Sequence, residues 1–274
     1  MKNKVDLNFK SPTFNERIKS MLGVDFYRLF HTPLFYIFIV IAAIIPAMVL
    51  GMTGTETEVL YTNTWEVVAT KTPKYVFSGI QEYANMNMVF IFGGIMVSIF
   101  IGHDYKSDYV KQLFTTHPKK QDYMISKSII GAFSMACMCV TYLIGVIIAG
   151  LFTQTSFSVN VGSLILAVLS KMIMSLGWAS LYTFLNVIFR RYFGVSIASS
   201  FFVGTGILII GVASILGDSK FAGAILNVFL YGSSVYACLS SNFLTLFVCM
   251  MVSGAWAVIY NVLGTCILDR CDVY

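Results

Sequence analysis

Charge is what this 274-residue chain has least of: Asp, Glu, Lys and Arg make up 11% of it, against 57% from the hydrophobic set. A soluble domain carries roughly 25% charged residues, and a core of this size would need a charged coat that the sequence cannot supply. The shortage excludes an ordinary soluble domain and a disordered chain. A formal balance of only +5 argues equally against a basic nucleic-acid binder, so no nucleic acid is expected as a partner.

Chemical motifs are missing too. No G-x-x-x-x-G-K-[ST] phosphate loop occurs, so the chain cannot hydrolyse ATP by itself, and neither H-E-x-x-H nor G-x-S-x-G is present. No catalytic residue, bound cofactor or metal is expected in this chain. His31, His103 and His117 are scattered. The six cysteines (Cys137, Cys139, Cys238, Cys249, Cys266 and Cys271) form no C-x-x-C pair, and four lie inside apolar runs, as small packing residues do.

What is present is hydrocarbon-compatible sequence. A span needs about 20 mainly apolar residues. Six windows qualify: 34–52, 84–102, 129–152, 161–189, 193–217 and 243–268. Backbone polar groups in lipid must be satisfied within the segment, so each window reads as a helix, the first kinked at Pro46. The expected fold class is an all-α integral membrane protein. It has a leader at 1–33, a six-helix transmembrane domain at 34–268 and a tail at 269–274.

Within the windows Lys171 is the single formal charge. It either snorkels to the outer headgroups or lines a wet cavity. No acidic residue lies in a span, which argues against a carrier coupled to protons or sodium through membrane carboxylates. Of the 18 Lys and Arg, fourteen fall on the side of the two termini and three on the other. By the positive-inside rule both termini are cytoplasmic, in a multi-pass protein of the cell membrane. No cleavable signal peptide is visible, since 33 mostly polar residues precede the first apolar run.

The connections carry further pattern. Phe14, Ile18, Met21, Leu22, Phe26, Leu29 and Phe30 recur at helical spacing, with Glu16, Arg17, Lys19, Asp25 and Arg28 elsewhere. This predicts an amphipathic helix in the interface that turns at His31-Thr32-Pro33 into the first span. Residues 53–83 predict an exposed outer cap, and Arg190-Arg191-Tyr192 a tight antiparallel hairpin between the fourth and fifth spans. The apolar stretch 221–231 is too short to span. It predicts a re-entrant or interfacial outer helix capped by Gly232-Ser233-Ser234.

The richest loop is 103–128. Asp104 is placed to N-cap a short helix reaching about Thr116. Tyr105, Tyr109 and Leu113, with Val110 and Phe114, group on neighbouring faces. Pro118 ends the helix, Lys119 and Lys120 follow, and Asp122 can cap the next. A compact helix with exposed aromatics suits docking into a cleft on another protein.

This loop resembles that of type-2 ATP-binding-cassette (ABC) transporter permeases, in which an acidic start, a helix ending in Leu-Leu-Ser-x-Pro, a basic residue and a closing Lys recur. Leu113-Phe114, Thr116, Pro118, Lys119/Lys120 and Lys127 match in order. Where the family often has Gly, this chain has Asp108-Tyr109. The architecture is most similar to small permeases encoded beside a separate ATPase, among them bacitracin-resistance and lantibiotic-immunity exporters.

The resemblance implies a permease half that moves an apolar or amphipathic cargo outward, such as an antimicrobial peptide, a drug or a lipid-like compound. It implies cytoplasmic ABC ATPase subunits, carrying ATP and Mg, docked on the 103–128 loop, and a second copy or related permease beside this one. It also implies a route lined by the second and fifth spans. Asn87, Phe92, Met96 and Phe100 would face it from the second, and the small-residue stripe Ser196, Ser200, Gly204 and Gly211 from the fifth. That stripe is equally a close-packing surface. The rival readings are a membrane-embedded or lipid-modifying enzyme and a self-contained channel. The first wants clustered His, Asp, Glu or Cys at one interface, and the second a ring of charge.

Overall fold

The computed structural model describes residues 13–52, 79–116, 119–152, 161–206, 228–239 and 243–270. Those residues are all-helical: α1 (Phe14–His31), α2 (Pro33–Met52), α3 (Gly79–Lys106), α4 (Tyr109–Thr116), α5 (Lys120–Phe152), α6 (Val161–Ile188), α7 (Phe193–Gly204), α8 (Leu230–Leu239) and α9 (Phe243–Arg270). The outer cap expected at 53–83 lies outside the described residues, apart from the first turns of α3.

α1 starts where the Thr13 N–H donates to Glu16 Oε2 at 2.7 Å, satisfying an amide that the helix itself cannot pair. It stops at Thr32. That residue precedes proline, is pushed out of the helical region (ψ 119°), and donates its hydroxyl back to Arg28 O at 2.6 Å. Pro33 opens α2 at a bend of 66°, at the turn the sequence predicts.

Among the described residues, four helices are long and apolar enough to cross a membrane, within α3, α5, α6 and α9, or five if the bent pair α1–α2 counts as one span. The windows 34–52, 84–102, 129–152, 161–189 and 243–268 fall on α2, α3, α5, α6 and α9. Of the window 193–217 only the stretch to residue 206 is described, and α7 is a shorter apolar helix. α3, α6 and α9 run 28 residues each and α5 runs 33. At 1.5 Å per residue they outlast the roughly 30 Å of hydrocarbon. Helix ends and hydropathy edges therefore do not coincide.

The principal packing is α9 on α6, α6 on α5, α5 on α2, and α7 on α3. At the centre Trp178 stacks on Phe90 (centroids 5.5 Å apart) and on Tyr182 (5.7 Å), and meets Tyr231 edge-on (6.4 Å), joining α3, α6 and α8. Close approach needs glycine at two contacts. A Cβ on Gly94 would enter the Tyr182 ring, and one on Gly145 would strike the carbonyl of Ala43, where α2 and α5 meet.

Three expectations change. α7 follows α6 after a short link, as expected, but its chief neighbour is α3 rather than its hairpin mate. Gly232-Ser233-Ser234 do not cap a helix; they sit inside α8, where Ser233 and Ser234 donate to the carbonyls of Leu230 and Tyr231 three residues back. The stretch 221–227 lies outside the described residues. Lys171 is 1% exposed, packed within the bundle rather than reaching outward past it.

Candidate functional site

Below the bundle, at the end where Lys and Arg concentrate, four charged side chains from three helices close on one another. Asp25 and Arg28 come from α1, Asp104 from the last turn of α3, and Lys127 from the second turn of α5. Lys127 Nζ lies 2.6 Å from Asp25 Oδ1 and 2.7 Å from Asp104 Oδ2. Arg28 Nη2 holds Asp104 Oδ1, and Arg28 Nη1 sits 3.8 Å from Asp25 Oδ1. The Ser126 hydroxyl donates to Asp25 Oδ2 at 2.7 Å. A neighbouring pair, Arg17–Asp122 at 2.7 Å, ties α1 to α5 again.

Two acids and two bases make the clasp neutral in sum, which is the condition for burying it. The Lys127, Asp25 and Asp104 side chains are at most 1% exposed, and only Arg28, at 28%, reaches solvent. Burial works against the Arg28 charge. The hydrogen bond to Asp104 and the charges of Asp104 and Asp25 outweigh it, and hold the guanidinium above its ordinary value. Aromatic faces close the cluster: Arg28 lies 4.5 Å from the Tyr109 ring and 5.3 Å from Phe100, and Lys127 lies 4.9 Å from Phe100 and 5.4 Å from Tyr123.

α4 hangs from this clasp. α3 continues through Asp104 to Lys106, so Asp104 does not N-cap the short helix. The hydropathy window ends at 102 but the helix does not, and the carboxylate is held by Lys127 and Arg28 instead. α4 begins after a turn at Ser107-Asp108, with Lys111 N–H donating to Asp108 O at 3.1 Å. Asp108 has φ 56°, the left-handed region glycine takes most readily.

The apolar side of α4 is already used. Val110 is buried with Met21, Tyr123, Met124, Val187 and Leu268, and Tyr105, Leu113 and Phe114 pack around them, Phe114 edge-on to Tyr123 at 5.6 Å. The face α4 turns outward is polar: Ser107, Asp108, Lys111, Gln112 and Thr115. Aromatics expected to be exposed for docking are therefore half-buried against the chain's own helix ends. Thr116 closes α4, and Pro118 lies outside the described residues. Lys119 is exposed, and the Lys120 ammonium donates to Leu268 O at 2.5 Å, capping the end of α9.

The residues expected along a route fall on different faces of α3: Phe92 packs beside Phe38 of α2 and Phe100 lies against Arg28 and Lys127, while α7 meets α3 at Ser98. Met96, Phe100, Ser196, Ser200 and Gly204 are buried and Phe92 is half-buried. Asn87 lies on α3 toward its start. Ser200 Oγ is 2.7 Å from Ser98 Oγ, the Asn186 amide donates to Ser98 Oγ at 3.0 Å, and Ser196 donates to Asn186 Oδ1. The small-residue stripe thus packs α7 on α3 and α6.

Sequence reasoning missed Asp25, Ser126 and the Ser98–Asn186 pair. The signal for Asp25 was available: it sits four residues from Met21 and four from Leu29, on the stripe that α1 buries. Against known proteins, no family model and no curated sequence matches this chain.

Proposed function

We propose that this chain is the membrane permease subunit of an ATP-driven ABC exporter. It would sit in the cell membrane with both termini cytoplasmic, alongside a second copy or a related permease, and move an apolar or amphipathic cargo outward. ATP and Mg would be bound by separate ATPase subunits docked against α4. The observation that carries the reading is mechanical: an eight-residue helix below the bundle, whose Tyr109 ring lies 4.5 Å from Arg28 in the buried ion cluster that joins α1, α3 and α5. A force on the outward face of α4 would pass through Tyr109 to Arg28 in the clasp, and through Val110 to the apolar cluster at the ends of α1, α5, α6 and α9. ATPase closure would then shift the bundle between two arrangements by differential affinity. Docking through this geometry uses the polar face of Lys111, Gln112 and Thr115 rather than Leu113 and Phe114.

A photo-crosslinking residue placed at Lys111 or Thr115 tests this in native membranes, with Tyr27 on the exposed side of α1 (65% exposed) as the control position. The expected product is an adduct with a soluble protein bearing an ATP-binding phosphate loop, formed at α4 and absent at Tyr27. No such adduct at either α4 position, or cargo movement by the purified chain alone in sealed vesicles, overturns the proposal.

A further inference from the structure

A cleft of about 550 Å³ opens on the flank of the bundle between α5, α6 and α9, within the range of small-ligand pockets. Its walls are aliphatic: Ile125 and Ile129 on α5, Leu176 on α6, and Ala257, Val258 and Val262 on α9. Ser128, Asn261 and Thr265 in the wall are already partnered. Asn261 donates to Ser180 Oγ at 3.0 Å and to Ala257 O at 2.8 Å and accepts from Ser128, while Thr265 donates to Asn261 O. Along the aliphatic stretch an occupant meets polar groups that are already bonded, which favours hydrocarbon over a peptide or a sugar.

The dimensions narrow the choice. The α9 lining runs from Gly254 to Cys266, about 18 Å of helix rise. The length is close to one leaflet of a bilayer whose hydrocarbon is roughly 30 Å thick. A Cβ on Gly254 would meet nothing within 4 Å, so the inner end is open space.

At the other end the charge is positive. Gln121 lines the mouth, Lys120 bonds the end of α9, and Lys119 and Arg270 are exposed beside them, with the exposed Asp269 between and the buried Asp122 already paired with Arg17. We infer that this cleft holds an acyl chain of an anionic phospholipid from the leaflet at the basic end, with the headgroup against Lys119, Lys120 and Arg270. The inference needs the chain to lie in a bilayer but does not depend on the exporter reading.

The full chain, reconstituted in bilayers of phosphatidylglycerol and phosphatidylcholine and released for native mass spectrometry, reports what it retains. One phosphatidylglycerol is expected to stay bound, preferred over phosphatidylcholine by about tenfold. Filling the cleft with Gly254→Leu and Val258→Phe abolishes retention. Lys119→Gln with Arg270→Gln keeps a lipid but removes the preference. Unchanged retention in the filled variant overturns the site, and an unchanged preference in the charge variant overturns the headgroup assignment. A wild-type dimer split by the filled variant assigns the face to a second copy and overturns the lipid. Should the filled variant not fold, alkylation of Cys266, read at the peptide level in the wild-type chain, substitutes. It slows several-fold in phosphatidylglycerol relative to phosphatidylcholine, and equal rates overturn the proposal.

Discussion

Two of the polar clusters that join the helices of this bundle are made of different groups. Ser98, Asn186, Ser196 and Ser200 link α3, α6 and α7 through neutral hydroxyls and an amide. About 9 Å further along α3, Asp104 begins the other cluster, built from full charges with Asp25, Arg28 and Lys127. The neutral cluster lies inside an apolar window, where hydrogen bonds between helices are worth about 0.6 kcal/mol on average and an ion would be costly. The charged cluster lies past the windows' edges, where Arg28 keeps partial contact with solvent. Depth dictates the material: amides and hydroxyls hold helices together in hydrocarbon, and ion pairs hold them at the exit.

The largest expected effect probes that contrast at Lys127. Lys127→Met strands two buried carboxylates and is expected to cost about 3–5 kcal/mol, read as a lowered unfolding temperature of the solubilised chain. Adding Asp25→Asn leaves the Arg28–Asp104 pair intact and restores at least half the loss. Asn186→Leu is expected to cost less, about 1–2 kcal/mol. An equal loss at both sites in the same assay erases the distinction between the clusters.

A smaller effect of opposite sign is expected at the turn before α4. Asp108→Gly relieves a left-handed φ that costs an L-residue about 1–2 kcal/mol. It gives up only a half-exposed contact with Lys111 at 2.9 Å. The net gain is expected to stay under about 1 kcal/mol, while Asp108→Val loses stability.

The smallest effect belongs to the exposed start of α1. The Thr13 amide holds the Glu16 carboxyl below its ordinary value. Its folded value thus lies under its unfolded one, so the stabilisation is complete above the usual carboxylate range and disappears as pH falls through the folded value. The difference in unfolding temperature between wild type and Glu16→Gln therefore shrinks toward zero in acid, and a constant difference refutes the cap.

Most of the fold was legible because lipid demands uninterrupted apolar runs, and α2, α3, α5, α6 and α9 lie on five of the six windows. Helix ends were not legible. Hydropathy marks where hydrocarbon stops, and α3 runs on to Lys106 while α5 begins nine residues before its window. That displacement misread Asp104 as a cap. The spacing of Val110, Leu113 and Phe114 told correctly that α4 has an apolar face, but periodicity does not say which surface the face covers. Here it is Tyr123 and the ends of α6 and α9. Asp25 was assigned to the polar side because its charge outweighed its position, although Met21 and Leu29 flank it on one stripe.

The contact between Gly145 and the Ala43 carbonyl has a consequence for any rocking motion. α2 is pinned to α5 there, and α1 is clamped to the same helix at Lys127, about 27 Å away along its axis. Two anchors on one rod forbid independent rotation, so α1, α2 and α5 swing as a single strut. Asp104 fastens α3 to the same strut through Lys127 and Arg28, so sliding of α3 along α5 has to break that ion cluster first.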